Sequence, residues 1–403
     1  MTISIRDLIH AGIVDVEKAK DTFDTLEQHA PELTDTILET LPNVGQPDIA
    51  LQHITAILTH QNSEEQTSRI FTKDEIKTLL FVLGSSDELG KMMSARPSLV
   101  LAALKQPLEY SQLYDSMHNA VFHAIKDVDE DSALPEQVLT TACEVMRQKY
   151  YEQLTSIISV DTCADDPIAI QPTISTMLSH LVDCALQCAL QIAQAVVKNA
   201  NLCRFAVIGM GKLGACEINY VSDVDLIYVV EPAQSQNTTS QEHTENVSTA
   251  ELTKIGTKIA VMLQKICQSI IPGVTQPALW QIDTALRPEG KDGPLVRRLE
   301  SHELYYEKWA ENWEFQALLK ARFVAGDLAL GEQYEKMTQQ FVWKASARKN
   351  FVFDCRKMRQ RVEDLIPEEL KNREIKLGKG GLRDVEFSVQ MLQLVHGKSD
   401  EAL

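Results

Sequence analysis

Asp223 and Asp225 stand two residues apart at the head of an apolar run, Leu226 to Val230. Side chains on a strand alternate faces, so residues two apart point the same way. The spacing therefore predicts two carboxylates side by side at the start of a strand. Neighbouring carboxylates repel, and burying them is costly unless something positive compensates. A divalent cation supplies that compensation, and hard oxygen ligands suit magnesium. A third acid, Asp283, lies in a second apolar stretch, Leu279 to Leu286, where a site of this kind needs a carboxylate from a neighbouring element. Upstream, the run Phe205 to Ile208 reads as a buried strand, followed by Gly209, Gly211 and Gly214 with Lys212 among them. Gly211, Lys212 and Gly214 are expected to face phosphates, with Ser222 fixing the turn before the acids. A glycine turn set against three acids suits in-line displacement at phosphorus, which asks for positioning and charge neutralisation.

The same glycines fit a second chemistry. Gly209-Met210-Gly211-Lys212-Leu213-Gly214 matches G-x-G-x-x-G after a strand, and Glu231 stands where a ribose-binding acid would sit. Three features oppose a dinucleotide site. The connection from Lys212 to Tyr220 is thin for a parallel crossover, which takes a dozen residues or more. Paired aspartates at the head of the second strand have no use in that fold. Alternating strands and helices should then continue, whereas the chain turns helical.

Other chemistry-bearing residues are more ordinary. Arg287 to Pro294 holds two prolines, two glycines and alternating charge, and reads as a tight polar turn. Ile375 to Asp384 places three glycines beside Lys376, Lys379 and Arg383, directly before an apolar-striped helix. Backbone amides at such a helix start favour an anion. Arg287, Lys376, Lys379 and Arg383 are thus secondary candidates for holding phosphate or product. His53 and His60, seven apart, have no acidic or cysteine partner close in sequence, so ordinary helix packing is the preferred reading over a metal site. The eight cysteines contain no C-x-x-C pair, and Cys184 with Cys188 reads as a buried helix face.

These groups need a scaffold. Residues 1–130 show helical periodicity, as at Ile49, Leu51, Ile54, Ile57 and Leu58, and at Leu79, Leu80, Val82 and Leu83. Residues 131–300 are expected to hold the catalytic core: helices up to about 200, the two strands around the glycines and acids, and a helix from Thr249 to Ile271. The apolar stretch Ile174 to Val197 should pack on the sheet. Within it Asp183 carries no readable chemistry. Pro232 to Ser248 reads as an exposed polar loop. Residues 301–403 are expected to be helical, with Tyr305, Tyr306, Trp309, Trp313 and Phe315 on one packed face of a single helix. The fold class that follows is α+β and mostly helical.

The chain has 403 residues and a formal charge of −18, with 44% hydrophobic and 24% charged residues. That acidity excludes a generic nucleic-acid binder. No apolar span of membrane length and no signal peptide is read, so a soluble, reduced, cytoplasmic protein is expected and the N-x-S/T matches at Asn237 and Asn246 carry no meaning.

Taken together, four blocks resemble the glutamine synthetase adenylyltransferase family, the bifunctional adenylylating and deadenylylating enzymes. They are Gly209 to Leu226, Ile282 to Leu295, Tyr306-Glu307-Lys308-Trp309 with Gln316 to Arg322, and Lys376 to Phe387. The blocks cover about the last two hundred residues. One departure is that the family's arginine-rich helix before the first strand is reduced here, in Glu144 to Leu154, to Arg147 and Lys149. The resemblance implies a nucleotidyltransferase core of the DNA polymerase β type, flanked by helices. It implies magnesium held by Asp223, Asp225 and Asp283. The Asn219-Tyr220-Val221 lead-in and the Gly378 to Phe387 block resemble the N-terminal half, which removes AMP from adenylylated glutamine synthetase by phosphorolysis to ADP. Glutamine synthetase, phosphate, ADP or ATP and a PII signalling protein are then the expected partners. Two alternatives stay open at this point: adenylylation from ATP, and a non-catalytic PII-sensing module.

Overall fold

The computed structural model describes residues 3–60, 70–126, 136–233 and 248–399. Most of the expected polar loop, 234–247, with Asn237 and Asn246, lies outside them. The chain divides into two compact units, residues 1–117 with 148–181 and residues 118–147 with 182–403.

The first unit is helical. Its helices are α1 (Ile5–His10), α2 (Val16–His29), α3 (Thr34–Thr40), α4 (Pro47–His60), α5 (Lys73–Leu83), α6 (Asp87–Ala95) and α7 (Pro97–Ala103), then the first half of α8 (Tyr110–Ile125). It also takes the later part of α9 (Glu136–Thr162) and the first half of α10 (Pro167–Val196). The apolar periodicity is buried as anticipated, with Leu51, Ile54, Ile57, Leu79, Leu80 and Leu83 all under a tenth exposed. Helix α5 starts at a capping box in which Thr72 and Glu75 satisfy each other's backbone N–H groups. His53 is a core residue. Its ring bonds Asp87 through Nε2 at 2.9 Å and Ser94 through Nδ1 at 3.3 Å.

The second unit is built on a small mixed sheet. Its strands are β1 (Cys203–Gly209), β2 (Val224–Pro232), β3 (Ile282–Asp283), β4 (Val296–Arg297) and β5 (Arg322–Gly326), in the order β3-β2-β1-β5, with β4 also against β2. Its helices are α11 (Gly211–Gly214), α12 (Thr249–Gln268), α13 (Leu299–Lys308), α14 (Asn312–Leu318), α15 (Leu328–Ala345), α16 (Phe351–Asp364) and α17 (Leu382–His396). Strands β1 and β2 are antiparallel, from Cys203 opposite Pro232 to Gly209 opposite Leu226. A dinucleotide-binding βαβ unit needs them parallel, so that reading of the glycines is excluded.

The period of two sorts the sheet's faces. Ala206, Ile208, Ile227 and Val229 join Phe315, Leu330 and Tyr334 in one buried cluster under the C-terminal helices. Gly256 of α12 packs on the opposite face, against Val230 and Val296. Asp225 falls in the period of Ile227 and Val229 and so lies on the C-terminal side. Cys184 and Cys188 are each 1% exposed, and burial pushes both thiols up, as expected of packing residues.

Three expectations need correction. The residues after 300 are not all helical, because β5 lies antiparallel to β1 as an edge of the sheet. The aromatic helix from Glu303 to Leu319 is two helices. Glu311 and Glu314 form a capping box that starts α14 afresh, and Trp309 at the break is 73% exposed. The strand expected over Leu279 to Leu286 is two residues long. Asp283 Oδ1 accepts the Ala285 N–H at 2.7 Å, a two-residue aspartate turn that ends pairing there.

His302, 1% exposed, lies between Tyr306 and Tyr334, and their hydroxyls meet at 2.8 Å. Burial first, then the Arg297 charge, push its imidazole down to about 3. The neutral ring is therefore the folded form. Its contribution is intact above the ordinary value near 6.5 and is lost as pH falls below it, because the unfolded ring binds the proton that the folded one refuses. All four tryptophans, Trp280, Trp309, Trp313 and Trp343, lie in the second unit. In urea unfolding followed by tryptophan fluorescence, the stability of the wild type relative to His302→Phe should fall by about 2 kcal/mol between pH 7.5 and pH 5, a difference in which the opposite titration of Asp225 cancels.

Candidate active site

The glycine turn forms because β1 ends at Gly209 and the chain enters one short helix, α11, without leaving the sheet. Met210 donates its N–H to the Asp225 carbonyl at 2.9 Å, which continues the β1–β2 pairing by one bond. Gly211 has φ +55, a left-handed conformation that favours glycine, and a Cβ there would sit 2.4 Å from Asp225 Oδ2. The absent side chain thus makes room for the carboxylate. Lys212 is exposed, and its Nζ donates to Asn219 Oδ1 at 3.0 Å. Gly214 faces protein: a Cβ there would meet the Lys320 carbonyl oxygen at 1.7 Å.

Asp225 and Asp283 are register partners on the parallel strands β2 and β3. Gln268 holds β3 in place, its side-chain oxygen accepting the Ile282 N–H at 3.0 Å. Asp225 is half-buried and Asp283 is exposed. Burial, then the charges of Asp283 and Asp223, push the Asp225 carboxyl up to about 6, against the pull of Arg383. Asp223 sits just before β2, exposed, and the Ser222 hydroxyl donates to its carbonyl at 2.9 Å. Among the described residues no set of three His, Cys, Asp or Glu side chains closes into a metal cage. What the geometry offers is two facing carboxylates with a third in their field. All donors are hard oxygens and Arg383 offsets only part of their mutual repulsion, which fits a magnesium-like cation.

The secondary candidates divide. The Arg287 guanidinium donates to the carbonyls of Thr284, Lys291 and Gly293 and so braces the turn after β3. At the glycine turn before α17, Asp384 occupies the anion's place, accepting the Gly380 N–H at 2.6 Å and bonding Arg359. Lys376 and Lys379 are exposed there. Arg383 comes back toward the acids. It bonds Glu386 at 2.8 Å and acts on the Asp225 carboxyl. A cavity of about 220 Å³ opens beside Gly211, with Arg383, Glu386 and Lys320 among its polar walls and Trp313 and Phe387 among its apolar ones.

The family model described as Glutamate-ammonia ligase adenylyltransferase matches residues 76–337. That span is more than half of the chain and contains all three aspartates and the glycine turn. The chain belongs to the glutamate-ammonia ligase adenylyltransferase family. A second model, described as GlnD PII-uridylyltransferase, matches residues 356–402. Among curated relatives, a protein named bifunctional glutamine synthetase adenylyltransferase/adenylyl-removing enzyme from Bifidobacterium longum strain DJO10A is 51% identical over 99% of this chain and 37% of its own length. Proteins of the same name from Cutibacterium acnes and Streptomyces coelicolor are 37% and 35% identical, over 98% of this chain and 39% and 37% of theirs. The chain therefore spans under two fifths of the relatives it matches. The mostly helical α+β architecture with its small mixed sheet is the one expected of a nucleotidyltransferase-like member of the family.

Two positioning groups escaped the motif reading. Asp183 on α10 is 2% exposed and receives both Arg322 Nη1 at 2.7 Å and Nη2 at 3.0 Å. The same Nη2 donates to the Leu213 carbonyl at 3.0 Å, so the pair pins α11 to α10 and β5. A lone acid in an apolar helix was the available signal, since a buried charge has to be paired. Lys320 bridges Glu217 at 3.0 Å and Glu386 at 3.3 Å. It sits in a block that was informative only by resemblance.

Proposed function

We propose that this chain is a nucleotidyltransferase unit that removes AMP from adenylylated glutamine synthetase by phosphorolysis. The observation that carries the reading is the in-register pair Asp225–Asp283 beside a glycine whose missing side chain admits the Asp225 carboxylate. In this reading Asp225 and Asp283, with Asp223, hold magnesium. The bound ion neutralises the acids and stabilises charge developing on the adenylyl phosphate. Gly211 keeps the backbone close to that phosphate, and Arg383 and Lys320 attract its oxygens and those of the attacking phosphate. Lys212, Gly214 and Ser222 shape the turn. Lys376, Lys379 and Arg287 act at the rim.

An oxygen of inorganic phosphate forms the new bond to the adenylyl phosphorus as the bond to the tyrosine oxygen breaks. The tyrosine oxygen leaves with the bonding pair and is protonated from solvent, and the products are tyrosine and ADP. A phenol of pKa about 10 is a good enough leaving group to need no strong acid beside it. The partners are then glutamine synthetase, phosphate and ADP, with a PII protein as regulator and the bacterial cytoplasm as location. No described helix is long and apolar enough to cross a membrane.

The whole chain, incubated with adenylylated glutamine synthetase, phosphate and magnesium, should release ADP, and release should stop when phosphate is omitted. AMP incorporation from ATP without any phosphate-dependent ADP release would reverse the direction. Magnesium binding with neither activity would leave a sensing module.

A further inference from the structure

The cavity beside Gly211 has a polar feature that the reaction above does not use. Gln316 on α14 is 2% exposed and lines it. Its Nε2 donates to Gln390 Oε1 at 2.8 Å, and Gln390 Nε2 donates to Glu386 Oε1 at 3.3 Å. The Gln316 Oε1 atom is buried without a hydrogen-bond partner. An amide can be turned over to rescue such an atom, but here the chain of bonds forbids it. Glu386, held by Lys320 and Arg383, accepts only. Gln390 must therefore point its amine at Glu386 and its oxygen at Gln316. Gln316 must then give its own amine to Gln390, which leaves its oxygen as a fixed acceptor. A buried amide oxygen without a donor costs free energy until a ligand supplies one.

The rest of the cavity suits a flat apolar ring. Leu286, Trp313, Met358, Val362 and Phe387 line it, and about 220 Å³ holds a heterocycle but not a whole nucleotide. The cavity reaches the acids through Gly211, which touches Asp225, and through Leu286, three residues beyond Asp283. A base seated here has its phosphate end directed toward the carboxylates.

We propose that this cavity binds the base of the adenylyl group, and that Gln316 selects a 6-aminopurine by accepting a hydrogen bond from its exocyclic amine. A 6-oxopurine presents an acceptor at that position and faces an acceptor that cannot turn. Gln390 and Glu386 are positioning residues for that amide. The inference rests on the adenylyl-removing reading and adds to it the residue that chooses the base.

The test is calorimetric binding of ADP and of inosine diphosphate to the whole chain in magnesium. The wild type should prefer ADP by about tenfold or more, the effect of one hydrogen bond made or refused. Gln316→Leu should bring the ratio close to one by weakening ADP, with inosine diphosphate bound at least as tightly as by the wild type as the sign of an intact fold. Gln390→Leu frees the Gln316 amide to turn, so it should bring the ratio down by strengthening inosine diphosphate. A folding defect cannot produce that gain, so this variant decides if Gln316→Leu does not fold. ADP binding with a ratio near one in the wild type, or a wild-type ratio in both variants, overturns the base assignment and leaves the nucleotide reading standing. If neither nucleotide binds, both readings are overturned.

Discussion

Asp225→Asn is expected to lower phosphate-dependent ADP release by about a hundred- to a thousandfold, and at the same time to make the protein more stable at pH 8 without magnesium. The two effects have one cause. The Asp225 carboxyl is pushed up to about 6, first by burial and then by Asp283 and Asp223, so its charge is resisted by the fold. Its folded value lies above the ordinary carboxylate value near 3.8. The penalty is therefore absent below about pH 4, grows through the interval up to 6, and is fully present above it. A shift of this size corresponds to about 3 kcal/mol, reduced to about 2 kcal/mol by partial exposure to solvent. Asparagine keeps the shape and removes the charge. Melting of the second unit, followed by tryptophan fluorescence, should move up by a few degrees in Asp225→Asn at pH 8 and not at pH 4. Magnesium should raise the wild-type melting temperature by binding the folded state and leave the variant unmoved. In the proposed reaction the catalytic loss follows because the carboxylate that would hold the cation beside the transferred phosphate is gone, and a single electrostatic partner of that kind is worth two to three orders of magnitude. Turnover near the wild-type rate, or magnesium stabilisation of the variant equal to that of the wild type, would remove Asp225 from the site.

How much of this was readable before the structure follows from which forces act locally. The D-x-D spacing and the continuous apolar run of β2 are visible within ten residues, and Leu226 to Val230 are all buried, as in a strand covered on both faces. The periodic helices α4 and α5 and the core cysteines were legible for the same reason. Strand direction was not. The glycine fingerprint at 209–214 is compatible with either sense of pairing, and only the shortness of the following connection argued for antiparallel strands. Strand β5 was invisible because five residues between helices carry no usable period, and its place beside β1 is a contact across more than a hundred positions. Asp183 stayed silent because its partner, Arg322, lies 139 residues away. At the glycine turn before α17 the composition pointed to an anion-favouring helix start. It could not reveal that Asp384, one turn on, already supplies the negative charge.

Gly214→Ala should be the most damaging single-atom change in the second unit, costing about 4 kcal/mol or more, or preventing recovery of folded protein. The backbone at Gly214 is not in the left-handed region, so conformational strain is not the argument. Space is. The added Cβ would stand 1.7 Å from the Lys320 carbonyl oxygen and 2.7 Å from the Gly209 carbonyl oxygen. Both obstacles are backbone, and neither can swing aside as a side chain would. Relief requires moving either α11 off the end of β1 or the segment that leads into β5. The Arg322 guanidinium, which holds Asp183 and the Leu213 carbonyl together, opposes both motions. Overpacking commonly costs 1–3 kcal/mol where side chains can yield, and backbone obstruction belongs above that range. Gly211→Ala makes a useful contrast. Its added atom meets the Asp225 carboxylate at 2.4 Å, a side chain that can rotate away. It should fold with a penalty of about 1–2 kcal/mol, from that contact and the left-handed backbone, but lose activity because Asp225 is displaced from Asp283. Urea unfolding by tryptophan fluorescence, with far-ultraviolet circular dichroism on the same samples, separates the two variants. If Gly214→Ala melts within a degree or two of the wild type, the close seat of the glycine turn against Lys320 is wrong, and with it the position of the turn relative to the acids.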